Sequence, residues 1–229
     1  MIVGLMQPYL FPYIGYFQLI NAVDKYVIYD DVNYIKGGWI NRNNILVNNN
    51  KQLFSISLEN ASPNRIINDI MIKDDFTKFR KTIEQSYKKA PFFEKTNELI
   101  SEIVSFNDRH LNSFIQNSIL IINKYLEITT TVILSSELKK DNSLKGEAKV
   151  ISICNLLGAS MYINAIGGMS LYQQSNFIEY GIELKFLRTK EIIYKQFKNE
   201  FIPFLSIIDV LMFNDIELIK SLLNEYELV

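Results

Sequence analysis

Residues 2–31 read IVGLMQPYLFPYIGYFQLINAVDKYVIYDD, and this stretch decides the fold. Residues 2–6 form a short apolar run closed by Pro8, which is typical of a strand buried on both faces. Residues 17–23 have the spacing of a brief helix with one apolar side, and residues 26–29 form a second apolar run. The order strand, loop, helix, strand predicts a right-handed unit whose two strands are parallel.

The same alternation returns near the end of the chain. Gly158 and Gly181 lie where a left-handed residue commonly follows a helix. The spacing predicts strands at residues 131–134, 160–164 and 182–187, with helices at 145–157, 171–180 and about 217–226.

The middle of the chain has a different pattern. Residues 45–47 and 53–58 are β-prone and are joined by three asparagines, which suits a hairpin. Helices are predicted at residues 76–89, 93–104 and 111–126, the last with Asp108 as a candidate cap. We therefore predict a single α/β domain over residues 1–229 with a Rossmann-like, mostly parallel sheet, a hairpin at about 44–58 and a helical insertion at about 60–126.

Composition excludes several classes of protein. The 229 residues are 48% hydrophobic and 21% charged, as in ordinary globular chains. Because 24 basic residues face 25 acidic ones, we expect no DNA partner. One cysteine, Cys154, and one histidine, His110, exclude an internal disulfide and a structural zinc, although a carboxylate-bound magnesium stays open. The start lacks a signal peptide and no run is long enough for a membrane span, so we expect a cytoplasmic protein.

In open parallel sheets, ligands bind beyond the carboxyl ends of the strands, near the point where strand order reverses. The loops after three predicted strands therefore hold the candidate site. Their candidate residues are Gln7, Tyr9, Tyr13, Gly15 and Tyr16 after the first strand, Asp30, Asp31, Lys36, Trp39, Asn41, Arg42 and Asn43 after the second, and Gly167 and Gly168 after residues 160–164.

Each group has a structural alternative. Asp30 and Asp31 are suited to hold magnesium, orient sugar hydroxyls or act as a base, and the alternative is a solvated turn. Adjacent side chains on a strand point to opposite faces, so we expect one of the two to face a ligand. Trp39 and Arg42 offer an aromatic face and a guanidinium for a sugar, base or phosphate, or else pack on the surface. The glycine pair and the tyrosine-proline loop are equally compatible with tight, covered turns.

The layout also resembles that of nucleotidyltransferases and related enzymes with an HxGH signature. Residues 13–16, YIGY, stand where that signature would stand. Without its two histidines the usual stabilisation of a transferring phosphate is absent, so the resemblance extends to the fold alone.

Three stretches, MQPYLFPYIGYF at residues 6–17, YDDVNYIK at 29–36 and WINRN at 39–43, resemble the WbqC-like family. The resemblance continues through YKKAPFF at 87–93, ICNLLGA at 153–159 and FIPFLSIID at 201–209. Members are typically encoded among genes for O-antigen and other surface polysaccharides, which implies a step on a nucleotide-linked sugar. Many members carry a histidine before the YKKAP segment, whereas residues 76–81 here contain none.

Three functional hypotheses follow. The first is a transferase that places an acyl or aminoacyl group on the amine of a nucleotide-linked amino sugar in O-antigen (lipopolysaccharide) biosynthesis. The second is a nucleotidyltransferase-like enzyme without the signature histidines, and the third is a non-catalytic sugar-binding or scaffold subunit. In the first, Asp30 or Asp31 is the base, Asn41 or a backbone amide the oxyanion donor, and Lys36, Trp39 and Arg42 hold the nucleotide. No cofactor is predicted, and the acyl donor and a homo-oligomeric state stay open.

Overall fold

The computed structural model describes residues 1–197 and 200–229 and is organised around one six-stranded sheet. The strands are β1 (Ile2–Met6), β2 (Lys25–Ile28), β3 (Arg42–Val47), β4 (Asn50–Ser55), β5 (Leu58–Glu59), β6 (Met71–Ile72), β7 (Thr131–Leu134), β8 (Met161–Ala165), β9 (Glu183–Thr189) and β10 (Tyr226–Leu228). The helices are α1 (Ile14–Asn21), α2 (Thr77–Tyr87), α3 (Phe93–Val104), α4 (Leu111–Tyr125), α5 (Gly146–Leu156), α6 (Gln174–Ile178), α7 (Ile207–Phe213) and α8 (Ile216–Leu222).

The strand order is β10-β9-β8-β1-β2-β7, with β10 antiparallel to β9 and every other pair parallel. The central position of β1 and its parallel pairing with β2 are therefore confirmed. From β1 the chain moves outward to β2 and β7, and it then returns to the other side of β1 as β8 and β9. This reversal between β1 and β8 confirms the Rossmann-like fold and creates a topological switch point.

Both faces of the sheet are covered, which explains the unbroken apolar runs of its strands. On one face, Val3 and Leu5 of β1 pack with Cys154 of α5 and Phe177 of α6. On the other face, Tyr26 of β2 belongs to a core that includes α1, α2, α3 and α4. Cys154 is thus a small core residue.

The predicted hairpin is present, with β3 and β4 paired from Arg42 opposite Ser55 to Val47 opposite Asn50. Its strands begin earlier in the chain than the predicted segments 45–47 and 53–58. Asn48 and Asn49 between them adopt φ angles of 47° and 63°. Asparagine tolerates this left-handed conformation, which two-residue hairpin turns require.

Four details of the sequence prediction are wrong. The last helix ends at Leu222, and the chain then extends as β10 along β9. Helix α6 covers residues 174–178 rather than 171–180, and a 3₁₀ helix, Ile166–Leu171, precedes it. His110, not Asp108, occupies the N-terminal cap position of α4, and Asp108 accepts a hydrogen bond from the backbone N–H of His110. Helix α7, capped by the Ser206 side chain, was not predicted.

Gly15 allows α1 to lie against the end of β9. A Cβ atom at this position would be 2.3 Å from Cε2 of Tyr13 and 2.5 Å from Oγ1 of Thr189. Both distances are shorter than side chains tolerate, so the loop, the helix and the strand meet closely because residue 15 has no side chain.

We predict that Gly15→Ala lowers the free energy of unfolding by about 1–3 kcal/mol, because overpacking outweighs the better helix propensity of alanine. Urea denaturation measures this change. Gly167→Ala is the matched control, since a Cβ there would meet nothing within 4 Å, and it should alter stability by less than about 0.5 kcal/mol. Equal stability of the two variants would contradict the close packing at Gly15.

Candidate functional site

A cleft of about 460 Å³ lies at the topological switch point. We call it the switch-point cleft, and it is lined by residues from the ends of three parallel strands and from the start of α5. Its polar and glycine residues are Gln7, Tyr29, Gly146, Glu147, Asn164, Gly167, Gly168 and Tyr172. Three residues proposed from the sequence, Gln7, Gly167 and Gly168, are thus brought together across β1 and β8.

Gly167 and Gly168 of this cleft have different surroundings. A Cβ on Gly168 would be 3.0 Å from Oδ1 of Asn164, whereas one on Gly167 would meet nothing within 4 Å. Asn164 is itself fixed, because its Nδ2 donates to the Tyr162 hydroxyl at 2.6 Å and its Oδ1 accepts from the Ala165 N–H at 2.6 Å. Gly168 therefore permits close packing on Asn164, and Gly167 leaves the backbone open to a ligand.

Tyr29 and Tyr172 supply phenol groups to the cleft. Burial, assisted by the nearby Asp31 carboxylate, raises the pKa of Tyr29 well above its ordinary value. Burial also raises the pKa of Tyr172. Both phenols are therefore neutral at physiological pH and can donate hydrogen bonds to phosphate or sugar oxygens.

Asp31 lies next to the cleft and is paired with two buried lysines. Its Oδ2 is 2.7 Å from Nζ of Lys140 and 3.0 Å from Nζ of Lys149, whose side chains are 1% and 6% exposed. Lys140 also donates to the Ser135 carbonyl, and Lys149 donates to the Asp31 carbonyl at 2.9 Å. Burial acts to raise the pKa of Asp31, but hydrogen bonds from Lys140, Ser135 and Lys149 outweigh it and hold the pKa below its ordinary value.

Lys149 connects this charged group to the cleft. Its Nζ lies 5.2 Å from the ring centroid of Tyr29, within the range of a cation–π interaction. The ammonium thus contacts Asp31 and the ring that lines the cleft, which fixes their relative positions.

Asp30 faces the opposite side of the sheet. It is fully buried, and its Oδ1 accepts from the Ser136 N–H at 2.9 Å. Its Oδ2 accepts from Ser136 Oγ at 2.6 Å and from Asn112 Nδ2 of α4 at 2.8 Å. Asp30 therefore joins β2 to α4 and to the turn after β7.

Tyr9, Trp39 and Arg42 form an aromatic and cationic group in the neighbouring loops. The rings of Tyr9 and Trp39 are 6.3 Å apart, and Cζ of Arg42 is 5.5 Å from the Trp39 ring centroid. The Arg42 Nε donates to the Gly38 carbonyl at 2.8 Å, which orients the guanidinium. Trp39 is about half exposed, so part of its ring is accessible to a ligand.

Three other candidates make hydrogen bonds that fix the loops. The Asn41 Nδ2 donates to the Ile56 carbonyl at 2.7 Å, and the Asn43 Nδ2 donates to the Phe11 carbonyl at 2.6 Å. The Tyr16 hydroxyl donates to the Gln7 carbonyl at 3.1 Å. The bonds of Asn43 and Tyr16 attach the tyrosine-proline loop to the hairpin and to α1, and the bond of Asn41 joins the two ends of the hairpin.

The remaining candidates lie elsewhere. Lys36 is exposed, and no described contact fixes its side chain. Tyr13 and Gly15 adjoin Thr189 at the end of β9, beside a second cavity.

Sequence reasoning missed the buried lysines and the phenols of Tyr29 and Tyr172. Lys149 carried a usable signal, because it adjoins the apolar residues Val150 and Ile151 in a predicted helix. Lys140 follows the end of β7, another carboxyl-end loop of the sheet.

Within residues 1–197 and 200–229, no three His, Cys, Asp or Glu side chains are grouped as a metal site would require. None of the helices in the described part of the chain is both long and apolar enough to cross a membrane.

The architecture defines a class, the doubly wound α/β proteins with a cleft where strand order reverses. The chain belongs to the WbqC-like protein family, whose model matches residues 7–221. It is similar to a protein of Mycobacterium tuberculosis named uncharacterized protein Rv1507c, with 28% identity over 215 residues, covering 91% of this chain and 92% of that protein. No solved structure matches the chain significantly.

We predict that Asp31→Asn lowers the free energy of unfolding by about 3–5 kcal/mol at neutral pH, because two buried lysines lose their counter-charge. The folded-state pKa of Asp31 lies below its unfolded value. Its contribution is therefore full above the ordinary carboxyl pKa of about 3.9 and is lost as the pH falls through the folded-state pKa.

Urea denaturation from neutral pH into the acid range measures this effect. The gap between wild type and Asp31→Asn should narrow below about pH 4. Asp69→Asn, at an exposed carboxylate, is the control and should change stability by less than about 0.5 kcal/mol. A gap that is absent at neutral pH, or that does not change with pH, would refute the pairing.

Proposed function

We propose that this protein is a transferase that places an acyl or aminoacyl group on the amine of a nucleotide-linked amino sugar, in the biosynthesis of a surface polysaccharide. The observation that carries the proposal is the switch-point cleft. Its volume of about 460 Å³ is in the range of small-molecule sites, and its position is where doubly wound sheets bind their ligands.

The nucleotide-linked sugar is proposed to bind with its phosphates near Gly167, where the backbone is accessible. Neutral Tyr29 and Tyr172 then donate hydrogen bonds to phosphate or sugar oxygens. The half-exposed ring of Trp39 offers an aromatic face to the nucleobase, and the Arg42 guanidinium offers it a positive charge. The exposed Lys36 offers a positive charge to a phosphate.

In the proposed reaction the amine nitrogen attacks the acyl carbonyl carbon, and the bond from that carbon to the leaving group of the donor breaks. The amine proton passes through a base to the leaving group. Asp31 is the proposed base, because it adjoins Tyr29 of the cleft and its Oδ1 has no hydrogen-bond partner among the described residues, although its Oδ2 is paired with Lys140 and Lys149. Both oxygens of Asp30, in contrast, are bonded within the fold. We assign the oxyanion donor to the backbone of the tyrosine-proline loop, because the Asn41 amide is bonded to Ile56.

Membership of the WbqC-like family is consistent with a setting in polysaccharide biosynthesis. The nucleotide-linked sugar is our choice of ligand for such a pathway. The reaction itself is our proposal from the chemistry of the residues around the cleft.

Two alternatives each have an observation in their favour. The order of the five parallel strands fits the fold of a nucleotidyltransferase-like enzyme, although Tyr13 and Tyr16 stand where the signature histidines would. The internal hydrogen bonds of Asp30 and Asn41 favour a non-catalytic sugar-binding subunit.

One experiment separates these functions. The protein is incubated with nucleoside-diphosphate amino sugars and with acyl or aminoacyl donors, and the products are analysed by mass spectrometry. The matched control substrates carry a hydroxyl in place of the amine. We expect an added acyl mass on the amino sugar alone; released pyrophosphate would indicate nucleotidyl transfer, and binding without turnover would favour the scaffold.

We predict that Gln7→Ala weakens binding of the nucleotide-linked sugar by about 2- to 12-fold, the value of one neutral hydrogen bond of about 0.5–1.5 kcal/mol. The Gln7 side chain lines the cleft, and none of the described side-chain hydrogen bonds engages its amide. Gln174→Ala, at an exposed glutamine of α6, is the matched control. Isothermal titration calorimetry measures both, and equal affinity for Gln7→Ala and wild type would remove Gln7 from the site.

A further inference from the structure

A second cavity, of about 550 Å³, opens at the carboxyl end of β9. We call it the β9 cavity, and its walls include Tyr13, Ile14, Tyr194, Phe201, Leu205 and Val210. It lies on the same edge of the sheet as the switch-point cleft, two strands away from β1. At a strand spacing of about 4.8 Å, the ends of β1 and β9 are roughly 10 Å apart.

Two of the polar groups in the walls of the β9 cavity, the hydroxyls of Thr189 and Tyr194, are bonded within the protein, whereas the charged Lys190 and Glu191 are exposed. The Thr189 hydroxyl donates to Oε1 of the buried Gln18 at 2.7 Å. The Tyr194 hydroxyl donates to Oδ1 of Asp209 at 2.6 Å. Asp209 is fully buried and also accepts from the Tyr87 hydroxyl at 2.9 Å.

These internal hydrogen bonds bear on what kind of ligand the cavity suits. Beside these two hydroxyls and the apolar walls, a sugar or a phosphate would leave hydrogen bonds unmade, at a cost of about 1–3 kcal/mol for each buried polar group. A hydrocarbon chain needs no such partners and gains free energy from every methylene it buries. The aromatic and aliphatic walls therefore favour a hydrocarbon.

One loop borders both cavities. Gln7 at its start lines the switch-point cleft, and Tyr13 at its end lines the β9 cavity. Ligands in the two cavities would therefore meet the tyrosine-proline loop from two sides, as the two substrates of a transfer reaction must meet near shared groups.

We propose that the β9 cavity binds the hydrocarbon chain of the acyl donor. This inference rests on the proposed function and narrows it, because it makes the transferred group an aliphatic acyl chain rather than an amino acid. The nucleotide-linked sugar then occupies the switch-point cleft and the chain of the donor occupies the β9 cavity.

The test uses linear primary alcohols from butanol to decanol as uncharged probes of the cavity, titrated calorimetrically into the full-length protein. Each added methylene should raise the affinity about fourfold until the cavity is filled, which corresponds to about 0.8 kcal/mol per buried methylene. Affinity that does not depend on chain length would overturn the proposal.

Two variants locate the binding. Val210→Phe places a ring in the cavity and should weaken octanol binding about tenfold or more. Ile193→Asp puts a hydrated charge at the rim, where the isoleucine is 66% exposed. It should weaken octanol binding to a similar extent without unfolding the protein. If Val210→Phe does not fold, Ile193→Asp alone provides the test. Ile178→Asp, at an isoleucine of α6 that is 59% exposed, is the matched control and should bind octanol as the wild type does.

Chain-length-dependent binding that survives Ile193→Asp would also overturn the assignment to this cavity. A parallel titration with a nucleoside-diphosphate amino sugar separates this inference from the proposed function. If the sugar binds and the alcohols do not, the inference alone fails. If the alcohols bind in the cavity and no amino sugar binds, the hydrocarbon site stands and the proposed function fails.

Discussion

Parallel pairing of β1 on both of its edges is the constraint on which the rest of the structure depends. A strand that is apolar on both faces cannot lie at an exposed edge, so β2 must cover one edge and β8 the other. The helices α1 and α5 lie on opposite faces of the sheet, as right-handed crossovers require where strand order reverses. The chains leaving β1 and β8 therefore diverge, and the switch-point cleft opens between them.

A buried ionic group stabilises one wall of this cleft. Asp31 at the end of β2 meets Lys149 of α5 and Lys140 of the preceding loop, so two crossovers of the sheet are joined through one carboxylate. Burying such charges costs desolvation free energy, and a buried ionic group is stable when every charge in it has a partner. Since Lys149 also contacts the Tyr29 ring, the ionic group holds a residue of the cleft in one orientation.

The sequence was sufficient for elements whose patterns are local. The apolar run of β1 and the helical periodicity of α3, Phe93–Val104, predicted where these two elements lie. Burial on both faces of a strand, or along one side of a helix, produces a pattern in residues that are close in sequence. Strand β10 was not predictable in this way, because its three residues are ordered by pairing with β9 rather than by a pattern of their own. Helix α7 was not predictable either, because its seven residues are too few to show a helical periodicity.

The candidate site was predictable in part for the same reason. Gln7, Gly167 and Gly168 follow strand ends, and parallel strands bring their ends to one edge, so their convergence follows from topology. The partners of Asp31 and Asn41 depend on contacts between distant segments: Lys149 is 118 residues from Asp31, and Asn41 is bonded to Ile56 across the hairpin. Such pairs become visible when the packing of helices on the sheet is known.

The most direct test of the central claim is a crystal structure of the protein with a nucleoside-diphosphate amino sugar bound. Our account predicts the diphosphate beside Gly167, with Tyr29 and Tyr172 donating to its oxygens and the sugar amine turned toward Asp31. A ligand bound at the amino-terminal edge of the sheet, or in the β9 cavity with the switch-point cleft empty, would contradict it.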